Sequence, residues 1–515
     1  MVRLTWRVRR HSARVRLGCR PGSQSHAASQ SPVIEGSFRV TIASPMQHFY
    51  IHTFGCQMNV HDSQRMAGIL RAQGMLEVLD PDAADLIVVN TCSVREKAEA
   101  KLDSELGQLK RLKKRPTPPV LAVAGCVARQ RGQAIIDRMP YVDIVLGPDR
   151  IQDLPALARA AADGAPPVVH TAFDIDSPAF LRAGADAAAG APSAFVAISK
   201  GCDERCSFCI VPSTRGPERH RPADEIVAEV ADLVASGTRE VVLLGQTVNG
   251  YRDPSGALSA RARGRGIASS DFPALLRRIA EQVPALARLR YTSPHPRYFD
   301  RALADAHKDL DVLCRHVHMP VQSGSDAVLR RMLRRHTREE YLESVRMLRD
   351  ARPDMTFGTD LIVGFPGETE EDFQQTLSLM REVRFAGVFA FKYSRRPGTA
   401  ALALDGEPSD DVKSDRLGRL FELADDLLAE HFAMLVGSVQ QVLVEEEGPR
   451  QDGRLSGRTE RNEIVHIADG DARLGEIVQV RIQRAFRHSL EGTILGAGDG
   501  SRARARRLPI VASEP

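Results

Sequence analysis

The sequence predicts an α/β chain made of an N-terminal parallel-sheet α/β domain, a partial (βα)6 barrel and a small C-terminal all-β barrel. Three observations lead there. From His48 to about Gly164, short apolar runs alternate with helix-period stretches, as in strands joined by helical crossovers in a parallel sheet. From Ala194 to about Ser394 the alternation resumes on a larger scale, with six βα units, enough for a barrel or part of one. Residues 437–497 then carry only short β-like runs between glycine turns, which suits a small closed barrel.

The elements follow in chain order. Residues 1–45 hold eight arginines, no lysine and one acidic residue, Glu35. Such a segment reads as a disordered or mis-started extension ahead of Met46, or as an organellar transit peptide. It is set aside together with Cys19 and the single tryptophan, Trp6. Residues 46–164 form the first domain, with strands expected at His48–Phe54, Ala84–Asn90, Val120–Ala124 and Asp143–Leu146. Residues 165–190, rich in Ala, Gly and Pro, read as a linker. The barrel spans 191–420, and Thr337 with Glu340 and Thr369 with Asp372 mark two helix starts as capping boxes. Residues 255–270 interrupt it as an exposed loop. The small barrel covers 423–497, and 498–515 form a basic tail.

Composition narrows the function classes. The 515 residues are 43% hydrophobic and 26% charged, ordinary globular usage that excludes a collagen-like or wholly disordered chain. No run approaches the ~18 apolar residues that suggest a membrane span. A net charge of +4 and 5% aromatics leave nucleic acid to local patches rather than to a global field. Eight cysteines are too few for a disulfide scaffold of this length, and no secretory signal precedes them. Clustered cysteines in a reducing compartment point to metal or chemistry, so the chain is expected in the cytoplasm.

Cys202, Cys206 and Cys209 lie in SKGCDERCSFCIVP, a C-x₃-C-x₂-C loop after a strand. Structural zinc usually takes four ligands, and no fourth Cys or His follows closely. A 4Fe-4S cluster can be held by three local thiolates with one iron left open. Zinc remains the competing reading. A second set, Cys56, Cys92 and Cys126, recurs at intervals of 36 and 34 residues, each just past an expected strand. Strand ends of a parallel sheet share one edge, so these three are expected to converge, the alternative being three buried hydrophobic thiols. Cys314 is expected to be a core thiol.

The C-x₃-C-x₂-C loop at the head of a βα barrel resembles the radical S-adenosylmethionine superfamily. Together with GCQMNVHDSQRMAG (55–68), NTCSVREKAEAKLDSELG (90–107), TSPHPRYF (292–299), MPVQSGSDAVLRRM (319–332) and VGFPGETEEDF (363–373), the chain after residue 46 resembles the MiaB-type tRNA methylthiotransferase family. The C-terminal barrel resembles the TRAM RNA-binding module. Gln246-Thr-Val-Asn departs from the family's usual Gln-Asn-Val-Asn and leaves the role of Thr247 open. The resemblance implies two 4Fe-4S clusters, one on Cys202, Cys206 and Cys209 and an auxiliary one on Cys56, Cys92 and Cys126. It implies S-adenosylmethionine as cosubstrate, contacted around Gln246, Ser323, Asp360 and Gly364. It implies methylthiolation of carbon 2 of isopentenyl-adenosine at tRNA position 37. Partners would be tRNA, a sulfur donor and an electron-donor protein, with no membrane and a monomeric chain.

Arg454, Arg458, Arg461 and Arg487 are candidate phosphate contacts, although residues 437–515 balance 12 basic against 12 acidic side chains, so only their distribution can favour RNA. Alternatives are a methylthiotransferase for threonylcarbamoyl-adenosine or for a ribosomal-protein aspartate, and, in another class, a non-catalytic metal-bearing RNA-binding protein.

Overall fold

The computed structural model describes residues 46–93, 96–175, 191–256, 258, 270–447, 455–469 and 472–495. Arg454, most of the 255–270 loop, and the 1–45 and 498–515 segments lie outside the described residues.

The N-terminal sheet is six-stranded and parallel, in the order β2-β1-β3-β4-β5-β6. Its strands are β1 His48–Phe54, β2 Leu76–Glu77, β3 Leu86–Thr91, β4 Val120–Gly125, β5 Ile144–Leu146 and β6 Val168–His170. β3 and β4 are buried along their whole length, as a strand covered by helices on both faces must be. Helices α1 Gln57–Ala72, α2 Glu96–Leu109, α3 Cys126–Arg131, α4 Gln133–Arg138 and α5 Leu154–Ala162 follow these strands. The segment 165–190 is not wholly a linker, because β6 pairs with β5 from Ile144↔Val168 to Leu146↔His170. That strand has only three residues, too short for a periodicity to show.

The second layer is a six-stranded partial barrel of parallel strands. β7 Ser193–Ala197, β10 Glu240–Leu244 and β11 Arg288–Tyr291 form one sheet. β12 His316–His318, β13 Thr356–Val363 and β14 Gly387–Lys392 form the other. A parallel bridge, Leu289↔Leu313, joins the halves. A short hairpin of β8 Ser199–Lys200 and β9 Arg219–His220 brackets the first cysteine loop. Alternate residues face opposite ways along a strand. Val241, Leu243, Leu289, Phe357 and Leu361 thus pack against the outer helices in one large core. Both expected capping boxes are present, at Thr337 and Thr369.

The third layer is a closed five-stranded barrel in the order β15-β16-β17-β19-β18. It comprises β15 Val439–Glu447, β16 Leu455–Thr459, β17 Ile464–Asp469, β18 Ile477–Ala485 and β19 Leu490–Ile494. The helix Asp410–Leu435 leads into it, and Phe432 and Leu435 join its core. The small barrel docks on β11 through two buried arginines. Arg288 donates to the Arg458 carbonyl at 2.8 Å and the Gln441 carbonyl at 2.9 Å. Arg290 donates to the carbonyls of Glu460 and Thr459 at 2.9 and 2.6 Å, and pairs with Glu240 at 2.9 Å.

Candidate functional site

The second cysteine set gathers at the carboxyl edge of the N-terminal sheet. Cys56 caps the start of α1, Cys92 follows β3, and Cys126 is the first residue of α3, directly after β4. Two glycines make this approach possible. Gly55 (φ +149°) has no Cβ where one would stand 3.0 Å from the Cβ of Cys92. Gly125 (φ +95°) leaves open a place that a Cβ would share with the Thr91 carbonyl at 2.4 Å. Beneath the thiols, Asn59 donates to Asn90 at 3.1 Å, and Asn90 donates to Ser63 at 2.8 Å. These side chains are buried, and the network ties α1 to β3. Burial pushes the Cys126 thiol up to about 11, with the neighbouring Cys56 and Cys92 adding to the effect.

The first set lies in the loop between β8 and the short helix Val211–Arg215. The Cys202 thiol is 3.3 Å from the Thr247 hydroxyl, and Arg334 reaches the Cys206 sulfur at 3.5 Å. The Val211 amide donates to the Cys209 sulfur at 3.5 Å. Burial pushes Cys202 up to about 11, against the Thr247 hydrogen bond, and Cys209 up to about 12.

Three contacts join the elements that carry the two sets. Met58, two residues past Cys56, packs on Val242, Leu244 and Phe195, the inward face of the partial barrel. Arg215 donates to Asp62 of α1 at 2.8 Å, both side chains being buried. The helix Val211–Arg215 packs on α3, which starts at Cys126.

The donor set fits iron–sulfur clusters. Among the described residues, no three His, Cys, Asp or Glu side chains surround one metal-ion position. Three soft thiolates in each set suit a cluster with one iron left open.

The four positions expected near S-adenosylmethionine are unequal. Gln246 follows β10, and both of its amide atoms are buried without a partner, an arrangement that a ligand would satisfy. Asp360 stands on β13, 3.3 Å from His318 and paired across the sheet with Phe389. Ser323 is fully buried and accepts from the Ser325 amide at 3.2 Å, so it braces a turn. Gly364 (φ +70°) lies where a Cβ would meet Lys413 at 2.3 Å, and its amide donates to Glu368 at 2.6 Å. Cys314 is buried on the barrel side away from both sets, beside Arg290 and Glu240.

Of the arginines expected to meet RNA, Arg487 is open to solvent and Arg458 partly so. Arg461 is 9% exposed and bonds to Glu463 at 3.0 Å and Gln440 at 2.7 Å, inside the domain interface. It braces the docked barrel instead of facing a phosphate. The exposed end of β18 carries Arg484 close to Phe486, itself exposed, which sequence reading did not single out.

The chain is 55% identical over 498 residues to the tRNA-2-methylthio-N(6)-dimethylallyladenosine synthase of Sorangium cellulosum, covering 91% of this chain and 100% of that one. This chain belongs to the MiaB-type tRNA methylthiotransferase family. A second member of that name, from Thermodesulfovibrio yellowstonii, is 40% identical over 87% of this methylthiotransferase and 98% of its own length. The radical SAM superfamily matches residues 196–380, the uncharacterized protein family UPF0004 matches 48–147, and the TRAM domain matches 434–495. A solved radical S-adenosylmethionine methyltransferase, TsrM from Kitasatospora setae, superposes with a TM-score of 0.49 at 17% identity, covering 69% of this chain and 74% of that one.

Sequence reading of this methylthiotransferase missed Arg215 and Arg334 and left Thr247 open. Arg215 lies within the family-like stretch FCIVPSTRG, but its partner is 153 residues away. Only the fold reveals the pair.

Proposed function

We propose that this radical S-adenosylmethionine enzyme methylthiolates carbon 2 of isopentenyl-adenosine at position 37 of tRNA. The observation that supports the reading is that the elements carrying the two cysteine sets pack together, through Met58 on the inward face of the partial barrel, the Arg215–Asp62 pair and α3. Replacing an unactivated aromatic C–H by C–S needs both a hydrogen-abstracting centre and a sulfur source within reach of one base. Such chemistry belongs to cofactors. A 4Fe-4S cluster with S-adenosylmethionine supplies the radical, and a second cluster, with a second S-adenosylmethionine as methyl source, supplies the methylthio group.

The residues then have separate tasks. Cys202, Cys206 and Cys209 hold the radical-generating cluster. Thr247 steadies the Cys202 sulfur, and Arg334 offers charge to Cys206. Cys56, Cys92 and Cys126 hold the auxiliary cluster. The partnerless amide of Gln246 receives a polar group of S-adenosylmethionine. Asp360 stands farther along the same face of the barrel, beside His318 and Phe389. Arg458, Arg484 and Arg487, with Phe486 for stacking, form the tRNA side of the small barrel. No helix among the described residues is long and apolar enough to cross a membrane. A cytoplasmic monomer served by separate sulfur-donor and electron-donor proteins completes the reading.

The test is an anaerobic reaction of reconstituted protein with reductant, S-adenosylmethionine and tRNA bearing isopentenyl-adenosine, read by mass spectrometry. 5′-Deoxyadenosine together with methylthiolated nucleoside is the expected result. Deoxyadenosine alone would transfer the substrate to threonylcarbamoyl-adenosine or a ribosomal protein. Neither product, from protein with intact clusters, would sink the enzymatic reading.

A further inference from the structure

The loop that carries Cys202, Cys206 and Cys209 is fastened to the N-terminal domain at its base. The Cys202 amide donates to the Gly216 carbonyl at 3.2 Å, closing the loop onto the residue after Arg215. Gly201 (φ +75°) lies where a Cβ would meet the Pro217 carbonyl at 2.0 Å, so the closure is tight. Arg215 then reaches Asp62 of α1 at 2.8 Å. Arg219 donates to the Arg215 carbonyl at 2.8 Å and to Asp149, beyond β5, at 2.6 Å. A Cβ on Gly216 would stand 3.3 Å from the Phe173 ring. Of these partners, Asp62 and Asp149 belong to the N-terminal domain, and Phe173 lies in the segment that follows β6.

Arg215 is linked by chain and by packing to both cysteine sets. It lies six residues past Cys209, and its helix packs on α3, which Cys126 begins. Its partner Asp62 lies six residues past Cys56 on α1. Arg215 and Asp62 are each about 6% exposed and pair at 2.8 Å. Breaking a buried ion pair leaves an uncompensated charge, so the pair has one preferred arrangement.

We propose that the Arg215–Asp62 pair is a positioning contact that fixes the Cys202–Cys209 loop against the Cys56–Cys92–Cys126 edge, and thereby sets the gap across which the two clusters serve one base. The proposal rests on the two-cluster reading above. Radical formation needs the loop and the barrel's S-adenosylmethionine contacts, but not the edge. Methylthiolation needs loop and edge in register, and a misplacement of about 1 Å can cost about a hundredfold in rate.

The test uses full-length Arg215→Gln, Arg215→Lys and Asp62→Asn. In the metal-free proteins, hydrogen exchange at the amides of Cys202, Thr214 and Gly216 should quicken for Arg215→Gln and Asp62→Asn, while the β13 amides keep their protection. In reconstituted protein with wild-type iron content, pulsed dipolar EPR between the reduced clusters should broaden. The ratio of 5′-deoxyadenosine to methylthiolated product should rise by about a hundredfold, and Arg215→Lys should restore most of it. If Arg215→Gln does not fold, Asp62→Asn and Arg215→Lys give the same readouts. An unchanged dipolar spectrum and product ratio at full iron content would overturn the proposal. Wild-type protein that takes up only one cluster would overturn the two-cluster reading instead.

Discussion

At the residue scale, Gly125 and Cys126 show how closely backbone and chemistry are joined. A side chain at Gly125 would strike Asn90 and the Thr91 carbonyl, and its φ of +95° is strained for any L residue, a cost of about 1–3 kcal/mol. Under the proposed ligand assignment, Gly125→Ala is expected to lose the auxiliary cluster and keep the other, which halves the iron content. Retention of full iron would count against the auxiliary assignment. The thiols carry a second expectation. Cys126 and Cys202 are pushed up to about 11, and Cys209 to about 12, by burial. They are protonated at neutral pH, but thiolates bind iron, so loading must release protons. Cluster uptake by the metal-free protein should therefore strengthen as pH rises from 6 to 9 (an experimental range), measured by iron content after a fixed time. Uptake independent of pH would show that these thiols are not the ligands.

At the scale of elements, the arginines of the small barrel divide by what they touch. Arg487→Ala should lower the salt slope of tRNA binding by about one unit, as loss of one phosphate contact does. Arg461→Ala should leave that slope alone and cost about 3 kcal/mol of stability, because it opens a buried bond to Glu463. Equal salt slopes for both variants would remove the distinction. Glu463 adds a pH dependence. Burial raises its pKa, but the hydrogen bonds of His431 and Thr459 and the charge of Arg461 outweigh it and hold it at about 2. A depressed carboxyl stabilises the fold above its ordinary value of 4.5, and that stabilisation is lost as pH falls towards 2. Glu463→Gln should flatten the acid unfolding curve of the small barrel between those values. An unchanged curve would place the acid sensitivity elsewhere.

Elements of this kind were legible in proportion to their length and pattern. β1 and β4 stand where their apolar runs put them, and the three edge cysteines were legible because each follows a strand in a repeated unit. β2 has two residues, and β16 reads LSGRT with no apolar alternation, so neither announces itself. Arg461 looked like an RNA contact because charge is visible in a sequence and burial is not. The Arg215–Asp62 pair needed two domains to be folded against each other before it existed.

At the scale of the whole molecule, the small barrel acts as a stopper for the partial barrel as well as an RNA module. Its carbonyls at Gln441, Arg458, Thr459 and Glu460 receive the guanidinium groups of Arg288 and Arg290. A chain ending before residue 437 would open Arg288 and Arg290 to solvent with these hydrogen bonds lost, at about 1.5–3 kcal/mol each. It is expected to melt at lower temperature and to bind less iron, besides losing tRNA affinity. A truncated chain with native melting and full iron would show that the two barrels are independent.

The same clamp sets an order on protein synthesis. Arg288 leaves the ribosome 153 and 170 residues before the carbonyls it will bind. At translation speeds of 5–20 residues per second, that is a delay of roughly 10–30 s. Throughout that interval Arg288 of the nascent partial barrel has Glu240 beside it but none of the carbonyls that later hold it. The barrel that carries the radical cysteines is therefore finished last-to-first: its floor is laid by the end of the chain, and iron delivered to a still-tethered polypeptide meets an incomplete vessel.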